Sequence, residues 1–219
     1  MTSNSDLQKL LTWLSPAFPV GAFAWSAGLE SAIAAGKVHD RASAQGWIAG
    51  NLTHGGMRTD AILLAHAHRS GGSAPTLRDL ADLYLALTPA RERHDETLAM
   101  GGAFLAAAQA WPANYDALPR PCPYPIAVGS ITAAHGIPLE AVLTAFLTAT
   151  VQGQVSVAVR LVPIGQSDGL AIIAALEEAI SAAASQWQDL GLDAIGAVAY
   201  ATDIAQMAHE TLHTRIFRS

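Results

Sequence analysis

Leu139-Glu140-Ala141-Val142-Leu143-Thr144-Ala145-Phe146-Leu147-Thr148-Ala149-Thr150-Val151-Gln152-Gly153-Gln154-Val155-Ser156-Val157-Ala158-Val159-Arg160-Leu161-Val162-Pro163-Ile164 is the one stretch that imitates a membrane span, and its reading decides the fold. A spanning helix needs roughly 20 predominantly apolar residues. Here Glu140, Gln152, Gln154 and Arg160 interrupt the run and Pro163 ends it. A helix surrounded by other helices is apolar on most sides and has the same composition. The stretch is therefore read as a buried core helix, and no membrane is expected.

Working outward, the rest of the chain supplies the enclosing helices. Of 219 residues, 51% are apolar, dominated by Ala and Leu with few aromatics, which biases long segments toward helix and allows a substantial core. Leu7, Leu10, Leu11 and Leu14 fall on one helical face behind a cap at Ser5 or Asp6, and Pro16 stops that helix. Further helices are expected over Trp25 to Ala35, Arg41 to Thr53 behind Asp40, Met57 to His68, Thr76 to Leu87, and from Pro89 to Trp111. The charged start of the last, Arg91 to Glu96, reads as solvated. Pro112, Pro119, Pro121, Pro123 and Pro125 exclude regular structure and mark a long loop over residues 112–125. Helices resume over Ile126 to His135, Leu139 to Val162, Asp168 to Gln188, and from a start between Leu192 and Tyr200. The expectation is an all-α fold, a single-domain bundle of about ten helices.

A formal charge of −6 without a basic block offers no electrostatic footprint for nucleic acid or anionic lipid, and favours protein or small-molecule partners. One cysteine, Cys122, leaves no internal disulfide framework, and the polar start Met1 to Lys9 lacks the order of a signal peptide. A cytoplasmic protein is expected. Cys122 lies in Pro121-Cys122-Pro123, read as a rigid exposed loop where a thiolate could touch a soft metal.

The sharpest enzymatic signal is His209-Glu210-Thr211-Leu212-His213, an H-E-x-x-H pattern that places two imidazoles at i and i+4 with a general-base Glu between them. It supports one alternative reading, a metal-dependent hydrolase using His209, Glu210 and His213. Such a site also needs a third ligand, usually downstream, and an upstream sheet edge for substrate; here only Thr214 to Ser219 follows and the upstream sequence is helical. A solvated or interface-facing helix surface is the simpler reading. His66 and His68 are two apart and diverge on a helix, and His94 sits among charges that would pair with it. There is no G-x-x-x-x-G-K-[ST] loop, no G-x-S-x-G elbow, no pair of C-x-x-C motifs and no G-x-G-x-x-G after a strand. No catalytic residue, cofactor or metal ligand is assigned.

Three segments carry a resemblance. Leu11 to Glu30 contains Ser15-Pro16-Ala17-Phe18-Pro19-Val20-Gly21-Ala22-Phe23 and closes on Gly28-Leu29-Glu30; Arg160-Leu161-Val162-Pro163-Ile164-Gly165-Gln166 follows in the middle; His209-Glu210-Thr211 and Arg215-Ile216-Phe217-Arg218-Ser219 close the chain. In this order and over this span they resemble the UreF family of urease accessory proteins. Ala22 stands where that family often has a second glycine and His213 where an aromatic is usual, which marks the H-E-x-x-H match as accidental. The resemblance implies a helical, non-enzymatic scaffold that binds UreD (also called UreH), recruits the GTPase UreG with effects on its GTP hydrolysis, and serves nickel insertion into apo-urease. By the same analogy it implies a homodimer.

On this basis the partner-binding residues are expected to be His209, Glu210, Arg215, Ile216, Phe217 and Arg218, with Arg160 and Gln166 in polar support. The tail 209–219 is expected to be a docking element, mobile unless captured, because an apolar pair flanked by arginines is an interface composition. Arg160 is expected to be ion-paired or at an interface. Ser15 to Phe23 is expected to plug the fold, with Phe18 and Phe23 buried and Gly21 at a turn.

Overall fold

The computed structural model describes residues 2–196 and 199–219. In chain order its α-helices are α1 Asn4–Trp13, α2 Leu29–Ala34, α3 Arg41–His54, α4 Gly56–Arg69, α5 Ala74–Leu87, α6 Arg91–Ala108, α7 Tyr124–Ala134, α8 Leu139–Leu161, α9 Gln166–Trp187 and α10 Tyr200–His209. The fold is all-α, with no strand among the described residues.

The decisive stretch forms α8, the one described helix long and apolar enough to cross a membrane by length and composition. Its position settles its role: Val142, Leu143, Phe146, Leu147, Val151, Val155, Val157 and Ala158 are buried, and α9, α4, α3, α2 and α7 pack around it. The charged interruptions Glu140 and Arg160 lie on its exposed side, while Gln154 is buried. α4 and α7 form the other close pair, and one cluster of buried side chains runs from Leu10 to Phe217.

Sequence punctuation sets most boundaries. Asp40 caps α3 by accepting from the Ser43 amide at 2.8 Å. Ser3, rather than Ser5 or Asp6, caps α1, with Asp6 closing the reciprocal bond of a capping box. Pro125 sits inside the first turn of α7, where its missing N–H costs nothing, so the irregular loop ends at Pro123. The helix expected from Trp25 begins only at Leu29, because Ala27 and Gly28 both adopt positive φ.

The proline-rich run behaves in part as expected. Phe18 is buried among Phe104 and Trp111, beside the Trp13 ring that packs edge-on against both. Gly21 has φ +74, yet a Cβ there would meet no atom within 4 Å, so backbone conformation rather than crowding calls for glycine. Phe23 contradicts the expectation: it lies on a 3-10 turn, Ala22–Ala24, and is 75% exposed. Hydropathy gives no information about which way a side chain faces after a left-handed turn.

Gly28 is the more consequential glycine. At φ +81 it brings α2 against α10, and an added Cβ would lie 2.6 Å from the Gln206 amide nitrogen. Gly28→Ala is expected to lower stability by roughly 1–3 kcal/mol through overpacking, with left-handed strain in addition. Urea unfolding checks this; an unchanged midpoint would mean that α2 and α10 separate without cost.

Candidate functional site

The α2–α10 crossing that Gly28 permits carries the least expected chemistry in the molecule. Glu30, one residue into α2, is buried facing the C-terminal tail. Its Oε1 accepts from the Ile216 amide at 2.7 Å, and its Oε2 accepts from the Phe217 amide at 2.9 Å and from His209 Nε2 at 3.0 Å. His209 Nδ1 meets Glu92 Oε2 at 2.6 Å, and Glu92 Oε1 accepts from Arg215 at 2.5 Å. Both ring nitrogens thus face carboxylate oxygens. Burial pushes the Glu30 carboxyl up, but the bonds from His209, Ile216 and Phe217 outweigh it and hold it below the ordinary glutamate range.

The last residues complete this latch. Arg218 N–H donates to the Ala24 carbonyl at 2.8 Å, and Ser26 N–H donates to the Ser219 carbonyl at 2.9 Å, with the Ser26 hydroxyl on the same oxygen. Phe217 is buried with the Arg160 guanidinium 4.5 Å above its ring centre, and Arg218 lies 4.9 Å over the Trp25 ring. Ser219 Oγ donates to Glu96 Oε2 at 3.1 Å.

Through Glu96 the tail reaches a second buried cluster. Arg93 bonds Asp60 at 2.7 Å and Glu96 at 2.6 Å, and Tyr84 donates to Asp60 at 2.8 Å. Burial pushes both carboxyls up against the opposing pull of Arg93, which Tyr84 assists at Asp60 and Ser219 at Glu96. Burial also works against the Arg93 charge, but Glu96, Tyr84 and Asp60 together keep it more firmly protonated than usual. The cluster forms part of the lining of a cleft of about 220 Å³, to which Phe217 and Arg160 also belong.

Several expectations are corrected here. The tail is not loose; Phe217 packs onto its own core, and of its residues Ile216 is the exposed apolar one, at 65%. His209 is fully buried rather than on a solvated face, because two carboxylates offset the desolvation of its ring. The H-E-x-x-H site does not form. α10 ends at His209, so His213 lies beyond the helix and exposed, and Glu210 instead accepts from the Arg91 amide at 2.8 Å, satisfying the start of α6. No group of three or more His, Cys, Asp or Glu residues suited to a metal occurs among the described residues.

The expected solvated start of α6 is instead the source of Glu92, Arg93 and Glu96, all directed inward. Arg160 is exposed and, among the described residues, forms no ion pair; it donates to the Phe23 carbonyl at 3.3 Å and covers Phe217. Gln166 is exposed in the first turn of α9 and borders a shallow depression shared with Arg160 and Gln152. Cys122 is buried, and burial pushes its thiol up to about 12, so no thiolate is offered to a metal. His66, His68 and His94 each bond a backbone carbonyl, of Leu190, Ile137 and Leu85 respectively, and the ion pairs found among the described residues do not include His94.

Comparison with known proteins gives this latch its context. The UreF family profile matches residues 38–177. The chain is 48% identical over 223 residues to a urease accessory protein UreF of Rhizobium etli, covering 100% of both chains. It is 45% identical to that of Rhodopseudomonas palustris, over 99% of this chain and 92% of the relative. The chain belongs to the UreF family. The sequence resemblance is thereby borne out, and the Glu30 and tail segments at the latch are two of the three that carried it.

Proposed function

We propose that this UreF-family chain is a non-catalytic scaffold of urease maturation in the cytoplasm. In this reading it binds UreD (UreH), with it recruits the GTPase UreG and bears on GTP hydrolysis there, and so serves nickel insertion into apo-urease. It would act as a homodimer and carry no cofactor of its own. The supporting observation is that buried ionic chemistry is spent on holding the tail still, while apolar side chains remain outside. On α10, Tyr200, Ile204 and Met207 are exposed at i, i+4 and i+7, and Ile216 is exposed on the tail that follows.

The docking role expected of residues 209–219 therefore divides. His209, Glu210 and Phe217 fix the tail internally; Ile216, flanked by Arg215 and Arg218, faces outward with the α10 stripe toward UreD. Arg160 and Gln166 support the neighbouring surface. Such a rigid apolar centre with guanidinium groups around it suits an interface anchor.

Pull-down with UreD and UreG tests the assignment. Ile216→Asp and Met207→Asp, both at exposed positions, are expected to weaken UreD capture at least tenfold, about 1.4 kcal/mol or more, with unchanged thermal midpoints. A truncation after Glu210 should lose both capture and stability, since it removes Phe217. Undiminished capture by the folded point variants would place UreD on another face. Light scattering of the isolated chain tests the homodimer separately.

A further inference from the structure

The cleft that Phe217 and Arg160 help to line runs lengthwise along α8. Phe146, Ala149, Gly153, Val157 and Arg160 all belong to its wall, and steps of three and four residues keep them on one helical face. From Phe146 to Arg160 that face is roughly 21 Å long at 1.5 Å per residue. Its two ends differ. At one, Phe146 is buried against the Tyr124 ring; at the other, Arg160 is exposed beside Phe23, whose carbonyl it bonds and whose ring also faces solvent. A Cβ at Gly153, halfway between them, would meet no atom within 4 Å, so the trough is unobstructed at its midpoint. Gly46, Gly50 and Gly102 are as uncrowded, but lie outside the cleft.

Four charged residues line this space, and three of them satisfy one another. Both Asp60 oxygens accept, from Tyr84 and Arg93, and both Glu96 oxygens accept, from Arg93 and Ser219. The fourth, Arg160, has no ion-pair partner among the described residues. Its contacts are the Phe23 carbonyl and the Phe217 ring, which leave guanidinium N–H groups free. An apolar trough with one unmatched cation at its open end is complementary to a hydrocarbon chain that ends in a carboxylate. The guanidinium fork takes up the carboxylate, and the chain is removed from water by Leu14, Val20, Met57, Met100 and Phe146. A cationic head would be repelled by Arg160. The volume, about 220 Å³, takes roughly seven or eight groups the size of a water molecule.

We propose that this cleft binds a linear alkyl carboxylate of roughly eight to ten carbons, with its head on Arg160 and its chain passing Gly153 toward Phe146. The inference is independent of the docking surface on α10, and stands or falls without the proposed role in urease maturation.

Decanoate, decan-1-ol and butanoate are the probes, titrated into the full-length protein below micelle-forming concentrations and followed by calorimetry and by the methionine methyl resonances. Decanoate is expected to bind and to shift Met57 and Met100. Decan-1-ol, with the chain but not the charge, is expected to bind at least about tenfold more weakly. Butanoate, with the charge but little chain, is expected to lose at least about a hundredfold. Arg160→Gln should bring decanoate down to the level of decan-1-ol, and Arg160→Lys should restore part of the difference. Gly153→Leu places a side chain in the trough where it meets no neighbour, so it should abolish decanoate binding with an equal or higher thermal midpoint. Failure of decanoate to bind overturns the proposal, as does equal affinity for decanoate and decan-1-ol. Shifts confined to Met207, or undiminished binding to a folded Gly153→Leu protein, overturn it as well. The wild-type comparison of the three probes decides the matter even if a variant does not fold.

Discussion

Glu30→Gln is expected to cost about 3 kcal/mol and to free the C-terminal tail, because it breaks a buried ionic arrangement from one side only. The amide group presents one oxygen where the carboxylate presented two, against three donors: the Ile216 and Phe217 amides and His209 Nε2. Its NH₂ would face a donor, and His209 would keep only Glu92. Limited trypsinolysis reads the tail directly, since Arg215 and Arg218 are cleavable once it detaches. Rapid cleavage there in the variant, with the wild type resistant, is the expected pattern. Equal resistance would show that Phe217 packing alone holds the tail.

The same group fixes a pH dependence. The Glu30 carboxyl is held below its ordinary value of 4.5 in the folded chain, so its stabilising contribution is complete above that value. The contribution is lost as pH falls through the depressed folded value. The difference between wild type and Glu30→Gln should therefore shrink in acid, with the tail of the wild type loosening there.

Helix number and most boundaries were legible because their causes are local. Asp40 with Ser43, Gly36 after α2, and the prolines between α6 and α7 act within a turn of their own position. The latch was not legible, since its members are far apart in sequence: Glu30 and His209 are 179 positions apart, and Glu92 and His209 are 117. A charge run such as Arg91 to Glu96 reads as solvated by local pattern, and only tertiary pairing shows Arg93 between Asp60 and Glu96. One signal was available. In a chain with only 14% charged residues, a dense charged patch opening an otherwise apolar helix is a candidate for internal pairing. His209 misled for the opposite reason, because a spacing suited to zinc belonged to a helix that stops before its second histidine.

Arg93→Met is expected to be the most damaging substitution at neutral pH, at roughly 3–5 kcal/mol, because it leaves two buried carboxyls without their cation. Asp60 and Glu96 are already pushed above their ordinary values of 3.8 and 4.5 by burial, with Arg93 pulling the other way. Removing Arg93 removes that pull, so both rise further. A carboxyl raised on folding favours the folded state at low pH and penalises it as pH increases from the unfolded toward the folded value. The variant should therefore be least stable near pH 7 and recover on acidification toward pH 5, opposite in sign to the Glu30 contribution. Urea midpoints at the two pH values separate these effects. A triple variant, Arg93→Met with Asp60→Leu and Glu96→Met, removes all the charges together. It is expected to regain most of the loss, because burying matched apolar groups avoids the desolvation that the triad must offset. The Tyr84 bond to Asp60 and the Ser219 bond to Glu96 would still be lost, leaving a smaller deficit of about 1–3 kcal/mol for each hydroxyl left unpaired. If Arg93→Met is as stable as the wild type at pH 7, the cluster is not held by its arginine, and Tyr84 and Ser219 must carry the carboxyls in protonated form.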